Sequence, residues 1–148
     1  MLKTSDLLHA LRGIAEFGGV FPADCLPIKI DKKLYIMNTD PSDLPGKHWV
    51  AMFTGDKPEF FDSLGNPPSF YRKTFEQFLI NAGPDYIYNC QRIQDFGSTT
   101  CGYYCIYYVL LKSMGYSIND IVTSFGKNLQ SNDRIVESFY DKFVHEGC

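Results

Sequence analysis

The sequence predicts an α+β fold in which helices pack on a mixed, mostly antiparallel sheet around a central buried helix. Short runs of aromatic and β-branched residues, bounded by Gly, Pro, Asn and Asp, indicate the strands. Apolar residues at helical spacing follow a Ser-Asp start near the N-terminus. A longer run, CGYYCIYYVLLKSM, is apolar on nearly every face, which is typical of a buried helix.

The strands and helices alternate along the chain. Four strands are predicted, at 34–39, 48–54, 59–64 and 86–94. The turn GDKP joins the second and third as a hairpin. The segment FGGVFPADCLP is predicted as an extended loop. Helices are expected at 5–15, 69–81, 101–114, 117–126 and 131–145. The helix at 101–114 is expected to be capped by Thr99 or Thr100, and the last two helices are expected to be the shorter ones.

Composition and charge limit the class of protein. With 148 residues, 45% of them hydrophobic, the chain 1–148 is expected to form one domain. The net charge of -3 gives no broad basic field, so nucleic acid is not inferred from charge, although a local basic patch stays open. The longest apolar run is shorter than the roughly 20 residues that span a bilayer. No membrane partner is expected, and the absence of a signal-peptide core favours an intracellular protein.

Cys101 is the candidate nucleophile among the five cysteines. It begins the predicted buried helix, where the partial positive charge and the free N–H groups of the N-terminus stabilise a thiolate. A cysteine in an apolar helix can equally be a small core residue. Its interpretation therefore depends on which other residues the chain supplies.

His48 is the candidate base among three histidines. His9 and His145 fall on the predicted terminal helices, where a solvated or half-buried side chain is the simplest interpretation. His48 opens a strand directly after Pro-Gly-Lys, and catalytic groups tend to stand at such loop junctions. A surface or capping histidine is the structural alternative.

Asp62 and Gln94 complete the candidate site. Asp62 lies near the end of the strand that GDKP pairs with the His48 strand, so antiparallel pairing brings it opposite a residue two or three beyond His48. Gln94 ends the strand before the Gly97–Thr100 loop, where its amide and the Cys101 N–H could both stabilise an oxyanion. Each residue also has an ordinary alternative: a turn-forming aspartate and a solvent-facing glutamine.

The motifs GKHWVAMF, FFDSLG and QDFGSTTCGYYC resemble the His-Trp, acidic and Gln-to-Cys-Gly motifs of the adenovirus-type maturation proteases (adenain). That family belongs to the clan of the Ulp-type proteases, which process SUMO-like modifiers. LYIMNTD and VESFYDKF resemble the adenain pattern as well, so the resemblance covers most of the chain. It implies the papain-like fold of this clan, although the chain order His, Asp, Gln, Cys differs from papain, where the Cys comes first.

The resemblance assigns a role to each matching residue. Cys101 corresponds to the nucleophile, His48 to the general base, Asp62 to the acidic residue that orients it, and Gln94 to the oxyanion-hole residue. Trp49 and Gly102, which follow the His and the Cys, match too and are expected in substrate binding. The acidic residue is Asp, as in Ulp-type enzymes, where adenain has Glu.

A resemblance to adenain implies a basic protein that is activated by DNA and by a disulfide-linked viral peptide. Because this chain is acidic and the spacing of Cys90 from Cys101 does not match, we do not extend these activators to it, and no cofactor is expected. Cys90 is predicted as a buried strand thiol and Cys105 as a packing residue. A zinc site built from Cys90, Cys101, Cys105 and His48 lacks paired-knuckle spacing, so no metal is expected.

The resemblance implies a monomeric cysteine endopeptidase that cleaves Gly-containing sites in precursor proteins of an adenovirus-like virus or virus-like element. Its expected location is the nucleus or cytoplasm of the host cell, and the virion. A viral activator peptide and nucleic acid stay open as partners. A Ulp-type protease acting on a ubiquitin-like modifier is the first alternative. A catalytically inactive peptide-binding domain is the second.

Overall fold

The computed structural model describes residues 1–44 and 46–146, with side chains as far as residue 145. Its fold is α+β, as predicted. The helices are α1 (Thr4–Leu11), α2 (Pro68–Tyr71), α3 (Lys73–Ala82), α4 (Cys101–Ser113), α5 (Ile118–Thr123) and α6 (Leu129–Glu146). The strands are β1 (Phe17–Phe21), β2 (Leu34–Asn38), β3 (Trp49–Phe53), β4 (Glu59–Phe61) and β5 (Ile87–Tyr88).

The described strands form one mixed sheet in the order β1-β2-β3-β4-β5. β2, β3 and β4 are antiparallel, and the GDKP hairpin lies between β3 and β4 as predicted. β1 and β5 run parallel to their neighbours β2 and β4. Two of the four pairings are therefore parallel, so the prediction of a mostly antiparallel sheet is wrong.

The segment FGGVF forms β1, although it was predicted as a loop. Gly18 and Gly19 lower the strand propensity of this segment. The segment nevertheless pairs with β2. Glycine is needed at position 18 because a Cβ there would collide with the ring of Tyr35 on the neighbouring strand. The register also shifts between Phe17 and Val20, and Gly19 has a φ of 125°, so the glycines accommodate an irregular edge strand.

Several predicted bounds need correction. The helix predicted at 69–81 is divided into α2 and α3 at Arg72, whose backbone is extended. The strand predicted at 86–94 contains only Ile87–Tyr88. The first helix ends at Leu11, ahead of Gly13, and α6 is the longest helix, at 18 residues, rather than a short one. After Tyr88 the Asn89 side chain and the Ser63 carbonyl take the place of a strand ladder, which explains why the predicted strand is short.

The N-terminus of α4 lies where it was predicted, but the predicted side-chain cap is absent. Thr100 is the residue before the helix, and its side chain accepts no hydrogen bond from the helix backbone. Its hydroxyl instead pairs with the Ser98 hydroxyl at 2.9 Å. The side chain is thus used to shape the preceding loop, and the first N–H groups of α4 are left for other partners.

The sheet separates two hydrophobic cores. Leu34, Ile36, Ala51 and Phe61 face α4, which also contacts α1, α5 and α6. The alternate strand residues face α3 on the other side: Tyr35, Met37, Val50, Met52 and Phe60. Burial on both faces explains why these strands are apolar at nearly every position.

A buried polar contact fixes α4 along the sheet. The Tyr108 hydroxyl donates to Glu59 Oε1 at 2.6 Å, and Lys112 Nζ donates to Oε2 at 3.1 Å. The Tyr108 ring stacks on Phe61 with centroids 4.6 Å apart. Because both contacts lie towards the C-terminal half of α4, they set the position of the helix start relative to the strands.

Among residues 1–44 and 46–146, the structure contains no helix with the length and apolarity needed to cross a membrane.

Gly65 joins the end of β4 to the backbone that leads to Gln94. Its N–H donates to the Asp62 carbonyl at 2.8 Å, and its φ is 81°. A Cβ at this position would lie 2.9 Å from the backbone nitrogen of Arg92. Both the conformation and the close approach of the two backbones require glycine here.

Gly65→Ala is therefore expected to lower the free energy of unfolding by about 1–3 kcal/mol, through backbone strain and overpacking. Gly13→Ala is the matched control, since no heavy atom lies within 4 Å of a Cβ there. Urea unfolding of both variants measures the difference. Equal stabilities for the two variants would contradict the prediction.

Candidate active site

Cys101 is the first residue of α4 and is 2% exposed. The backbone N–H of Trp49 donates to its sulfur at 3.4 Å, across the gap between β3 and α4. Within the described residues, the Cys101 N–H donates to no protein acceptor. The sulfur thus lies beside a free N–H at the positive end of the helix dipole.

His48 lies directly before β3 and is 7% exposed. Its backbone carbonyl accepts a hydrogen bond from the Thr39 N–H at 2.9 Å, which continues the β2–β3 ladder past the strand end. Its ring nitrogen Nε2 is 2.5 Å from Asp62 Oδ1. Cys101 also acts on the imidazole and favours its cation, and both side chains line the same cavity.

Asp62 comes immediately after β4 and its side chain is fully buried. Phe61 pairs with Ala51, so Asp62 comes level with a residue two beyond His48, as the hairpin register predicts. Besides His48 Nε2, three donors satisfy its carboxylate: the Leu64 N–H at 3.0 Å, the Asn66 N–H at 3.2 Å and the Tyr71 hydroxyl at 2.5 Å. The predicted Cys, His and Asp are therefore brought together at one site, where His48 is hydrogen-bonded to Asp62 and lies beside Cys101.

The electrostatics of His48 favour its cation. Burial alone would lower its pKa, but hydrogen bonds from the ring to Asp62 and Cys101, together with the charges of both, outweigh burial and raise the pKa of His48 to about 9. At neutral pH the imidazolium is therefore the dominant form. A cation beside Cys101 stabilises a thiolate.

Gln94 is 3% exposed and lies at the same site. Its Oε1 accepts from the Ser63 hydroxyl at 2.5 Å, which fixes the orientation of the amide. Its Nε2 donates to the Ser98 carbonyl at 3.0 Å and to the Ser98 hydroxyl at 3.2 Å. The amide thus donates to the loop that precedes Cys101, and the predicted solvent-facing alternative does not apply.

The backbone around Gln94 is not a strand but is held by its neighbours. Both the Ile93 and the Gln94 N–H groups donate to the Ser63 carbonyl, at 2.9 and 3.1 Å. The Ile93 carbonyl accepts from the Tyr104 hydroxyl and from the Asn132 side chain, at 3.0 and 3.1 Å. Helices α4 and α6 therefore position Gln94 in place of a sheet ladder.

Trp49 and Gly102, predicted as substrate-binding residues, are packed in the interior. The indole N–H of Trp49 donates to the Leu2 carbonyl at 3.0 Å. A Cβ on Gly102 would lie 3.1 Å from Leu2 Cβ and 3.3 Å from Trp49 Cδ1, so the glycine lets the segment before α1 and strand β3 approach the start of α4. Their predicted role in substrate binding stays a prediction.

A cavity of about 740 Å³ opens over the site. Cys101, His48 and Gln94 line it together with Tyr71. Two strongly exposed aromatic residues, Phe70 at 66% and Phe96 at 80%, also line it. The catalytic candidates are thus buried on the protein side and face an open space large enough for several residues of an extended peptide.

Cys105 and Cys90 differ from Cys101 in their surroundings. Burial, with the charges of Cys101 and Asp62, raises the pKa of the Cys105 thiol well above its ordinary value, in accord with the predicted packing role. Cys90 is exposed, so the prediction of a buried strand thiol is wrong; β5 ends two residues before it. No group of three or more metal-binding side chains occurs in the described part of the chain.

Three contributing residues were not identified from the sequence. Tyr71 binds Asp62, Ser63 orients the Gln94 amide, and Ser98 accepts from it. Tyr71 lies on α2, and its ring centroid is 5.8 Å from that of His48. No local pattern marks these residues, because they reach the site only through the tertiary fold.

Comparisons with known proteins bear on the fold and on the class of protein. The chain is 31% identical over 135 residues to a protein of Acanthamoeba polyphaga mimivirus named "Putative thiol protease R355", covering 74% of this chain and 44% of that protein. The chain thus spans less than half the length of this relative. No protein-family model matches.

A solved structure, that of ChlaDub1 from Chlamydia trachomatis, has the same fold. The TM-score is 0.54 at 18% identity, and the match covers 97% of this chain and 75% of that one. The similarity to the mimivirus protein confirms the predicted resemblance to thiol proteases. The similarity to the ChlaDub1 structure confirms the α+β fold with a mixed sheet. The adenain-type assignment stays a prediction.

The raised pKa of His48 can be tested by NMR titration of its imidazole. The inflection is expected near pH 9 in the wild type, and Asp62→Asn should lower it by removing the largest favourable contribution. Because the folded pKa lies above the ordinary 6.5, this contribution to stability is complete below pH 6.5 and is lost as the pH rises through about 9. Asp133→Asn removes another buried carboxylate as the control. An unshifted His48 in Asp62→Asn would refute the assignment.

Tyr71→Phe tests whether the hydroxyl orients Asp62. Loss of one donor to a buried carboxylate should lower the unfolding free energy by about 1–2 kcal/mol. It should also slow alkylation of Cys101 at neutral pH severalfold. Tyr86→Phe is the control, because it removes a hydroxyl bonded to Glu76 away from the site. A Cys101 alkylation profile in Tyr71→Phe equal to that of the wild type would show that the hydroxyl only adds stability.

Proposed function

We propose that the chain is a cysteine endopeptidase in which Cys101 is the nucleophile, His48 the general base and acid, and Asp62 the residue that orients His48. The observation that supports this proposal is the buried His48–Asp62 pair, which lies beside Cys101 at the floor of an open cavity. The similarity to a viral thiol protease supports the same reaction class. A base held by a buried acid beside a thiol is the arrangement that nucleophilic catalysis needs.

In the proposed reaction, the Cys101 thiolate attacks the carbonyl carbon of a peptide bond, forming the C–S bond and an oxyanion. The oxyanion re-forms the carbonyl as the C–N bond breaks, and the His48 imidazolium gives its proton to the leaving amine. His48, now neutral, takes a proton from water, which attacks the thioester. The acid product leaves, and Cys101 and His48 return to the ion pair.

The proposed oxyanion hole consists of the Cys101 N–H and the Gln94 amide. The free Cys101 N–H supports the first part. For the second part, one Gln94 N–H leaves Ser98 and donates to the oxyanion when substrate is bound. Ser63 holds the other end of the amide, and Gln94 lines the same cavity as Cys101.

The proposed substrates are Gly-containing sites in precursor proteins of an adenovirus-like virus or virus-like element. The viral source of the thiol protease relative supports this class. A Ulp-type protease that processes a ubiquitin-like modifier would use the same residues, so assays should include both kinds of Gly junction. We propose no cofactor, and we propose that the chain acts as a monomer in an intracellular compartment.

The first test is the pH dependence of iodoacetamide alkylation at Cys101, mapped by mass spectrometry. In the wild type, Cys101 is expected to react well below pH 8. In His48→Ala it should react like an ordinary thiol with a pKa near 8.5. The exposed Cys25 and Cys90 provide internal reference thiols in the same sample.

If Cys101 behaves as an ordinary thiol in both proteins, the ion pair is absent and the protease proposal is refuted for the isolated chain. The inactive peptide-binding alternative then gains support. This result does not depend on the choice of peptide, because alkylation needs no substrate.

Gln94→Ala separates the oxyanion hole from the nucleophile. Alkylation of Cys101 develops no oxyanion, so its rate should stay near that of the wild type. Cleavage of a peptide substrate should fall by roughly 10²–10³-fold, as for loss of one oxyanion donor. Ser98→Ala is the matched control, since it removes a partner of Gln94 and leaves the amide in place. An unchanged cleavage rate in Gln94→Ala would exclude the proposed role.

A further inference from the structure

The cavity over Cys101 is basic, although the chain as a whole carries a net charge of -3. Lys47, Arg72 and Arg92 line it. None of the three has a carboxylate within 4.0 Å in the described part of the chain, where the ion pairs are His48–Asp62 and Lys112–Glu59. A local excess of unpaired cations at a proposed substrate site indicates an anionic ligand.

Arg72 is anchored beside the His48–Asp62 pair. It stands at the break between α2 and α3, directly after Tyr71, and is half-buried. Its Nε donates to the Thr39 carbonyl at 3.0 Å, and Thr39 itself donates to the His48 carbonyl. This contact fixes the side chain, and among the described residues the two terminal nitrogens of the guanidinium have no hydrogen-bond partner.

Arg92 is anchored beside Gln94. Its Nε donates to the Gln94 carbonyl at 2.9 Å, and its guanidinium lies over the ring of Phe96, 3.0 Å from the centroid. Phe96 is itself exposed on the cavity wall. The second arginine is therefore also held in place, by a hydrogen bond and by a cation–π contact.

Fixed guanidinium groups suit carboxylates, because the planar group offers two parallel N–H donors and little side-chain freedom is lost on binding. We propose that the cavity selects peptide segments that carry Asp or Glu side chains close to the bond to be cleaved, bound by Arg72 and Arg92. This inference rests on the proposed protease function and specifies its substrate class. Two anchored arginines next to the catalytic candidates favour a peptide carboxylate over a nucleic acid, which needs cations along an extended track.

Asp40 is the opposing charge in the same cavity. It is 8% exposed, and its Oδ2 is the one buried side-chain oxygen or nitrogen without a hydrogen-bond partner among the described residues. An unpartnered acceptor on the wall suits a backbone N–H of a bound peptide. Asp40 also weakens the field of the arginines, so Asp40→Asn should tighten the binding of acidic peptides.

The test measures binding to the Cys101→Ala protein, in which no turnover occurs. Three fluorescent peptide pools share a central Gly-Gly and differ only in the flanking residue, which is Glu, Gln or Lys. The Glu pool should bind on the order of fivefold more tightly than the Gln pool, and the Lys pool most weakly. This preference should shrink as salt is added.

Variants assign the preference to the two arginines. Arg72→Gln and Arg92→Gln should each reduce the preference for the Glu pool, and Arg92→Lys should keep part of it. Arg134→Gln, on α6 outside this cavity, is the matched control and should keep all of it. Alkylation of Cys101, measured with each substitution in the wild-type background, verifies that the catalytic candidates stay intact.

Equal binding of the pools, no binding of any pool, or an unchanged preference in both Gln variants would overturn the inference. So would a single-stranded oligonucleotide that displaces the Glu pool and binds more tightly than it. Failure of the proposed function looks different: the Glu pool binds preferentially, but the wild type cleaves no pool and Cys101 titrates as an ordinary thiol. Cleavage without any charge preference would instead retain the protease and reject the acidic substrate class.

Discussion

The buried carboxylate of Asp62 is the constraint on which the rest of the site depends. A charge removed from water needs donors on its oxygens, since an uncompensated one costs several kcal/mol. Asp62 receives them from His48, from two N–H groups of the turn after β4, and from Tyr71 on α2. Satisfying one carboxylate therefore fixes a strand end, a turn, a helix and the imidazole together.

The backbone of Asp62 extends this constraint to the other half of the site. Its N–H and carbonyl both bond the Asn89 side chain, at 2.9 and 2.6 Å. The next residue, Ser63, accepts from the Ile93 and Gln94 N–H groups and donates to the Gln94 amide. The turn after β4 thus places the His48 side and the Gln94 side of the cavity relative to each other, and Gly65 lets the two backbones meet.

Helix α4 supplies the third part of the site, the Cys101 sulfur. Its polar anchor at Glu59 and its stacking on Phe61 lie about two to three turns beyond Cys101, in the interior. The sulfur is therefore placed by a rigid, buried helix rather than by a loop, next to the Trp49 N–H. Such placement keeps the sulfur and the imidazole in register, as a reaction that depends on sub-ångström geometry requires.

The hairpin signature was sufficient to predict that His48 and Asp62 lie close together, because a short hairpin fixes the register of its strands. That Cys101 joins them was implied by the resemblance of the motifs and their order to a known family. The central helix and strands β2, β3 and β4 were predictable from their local patterns. Local patterns did not predict β1, an edge strand that contains Gly18. They also predicted too long a strand at β5, after which side-chain hydrogen bonds take the place of the backbone ladder. In both places the deciding contacts join residues far apart in sequence.

The sequence by itself determined which residues are chemically able to act, since residue types and the ends of regular elements are local properties. Only the tertiary structure decided how they are supported. Tyr71 on Asp62, Ser98 on Gln94, and the two anchored arginines of the cavity come from segments that meet only when the sheet is assembled. Hydrogen bonds between distant segments leave no periodic signal, because they depend on where the folded chain brings each side chain.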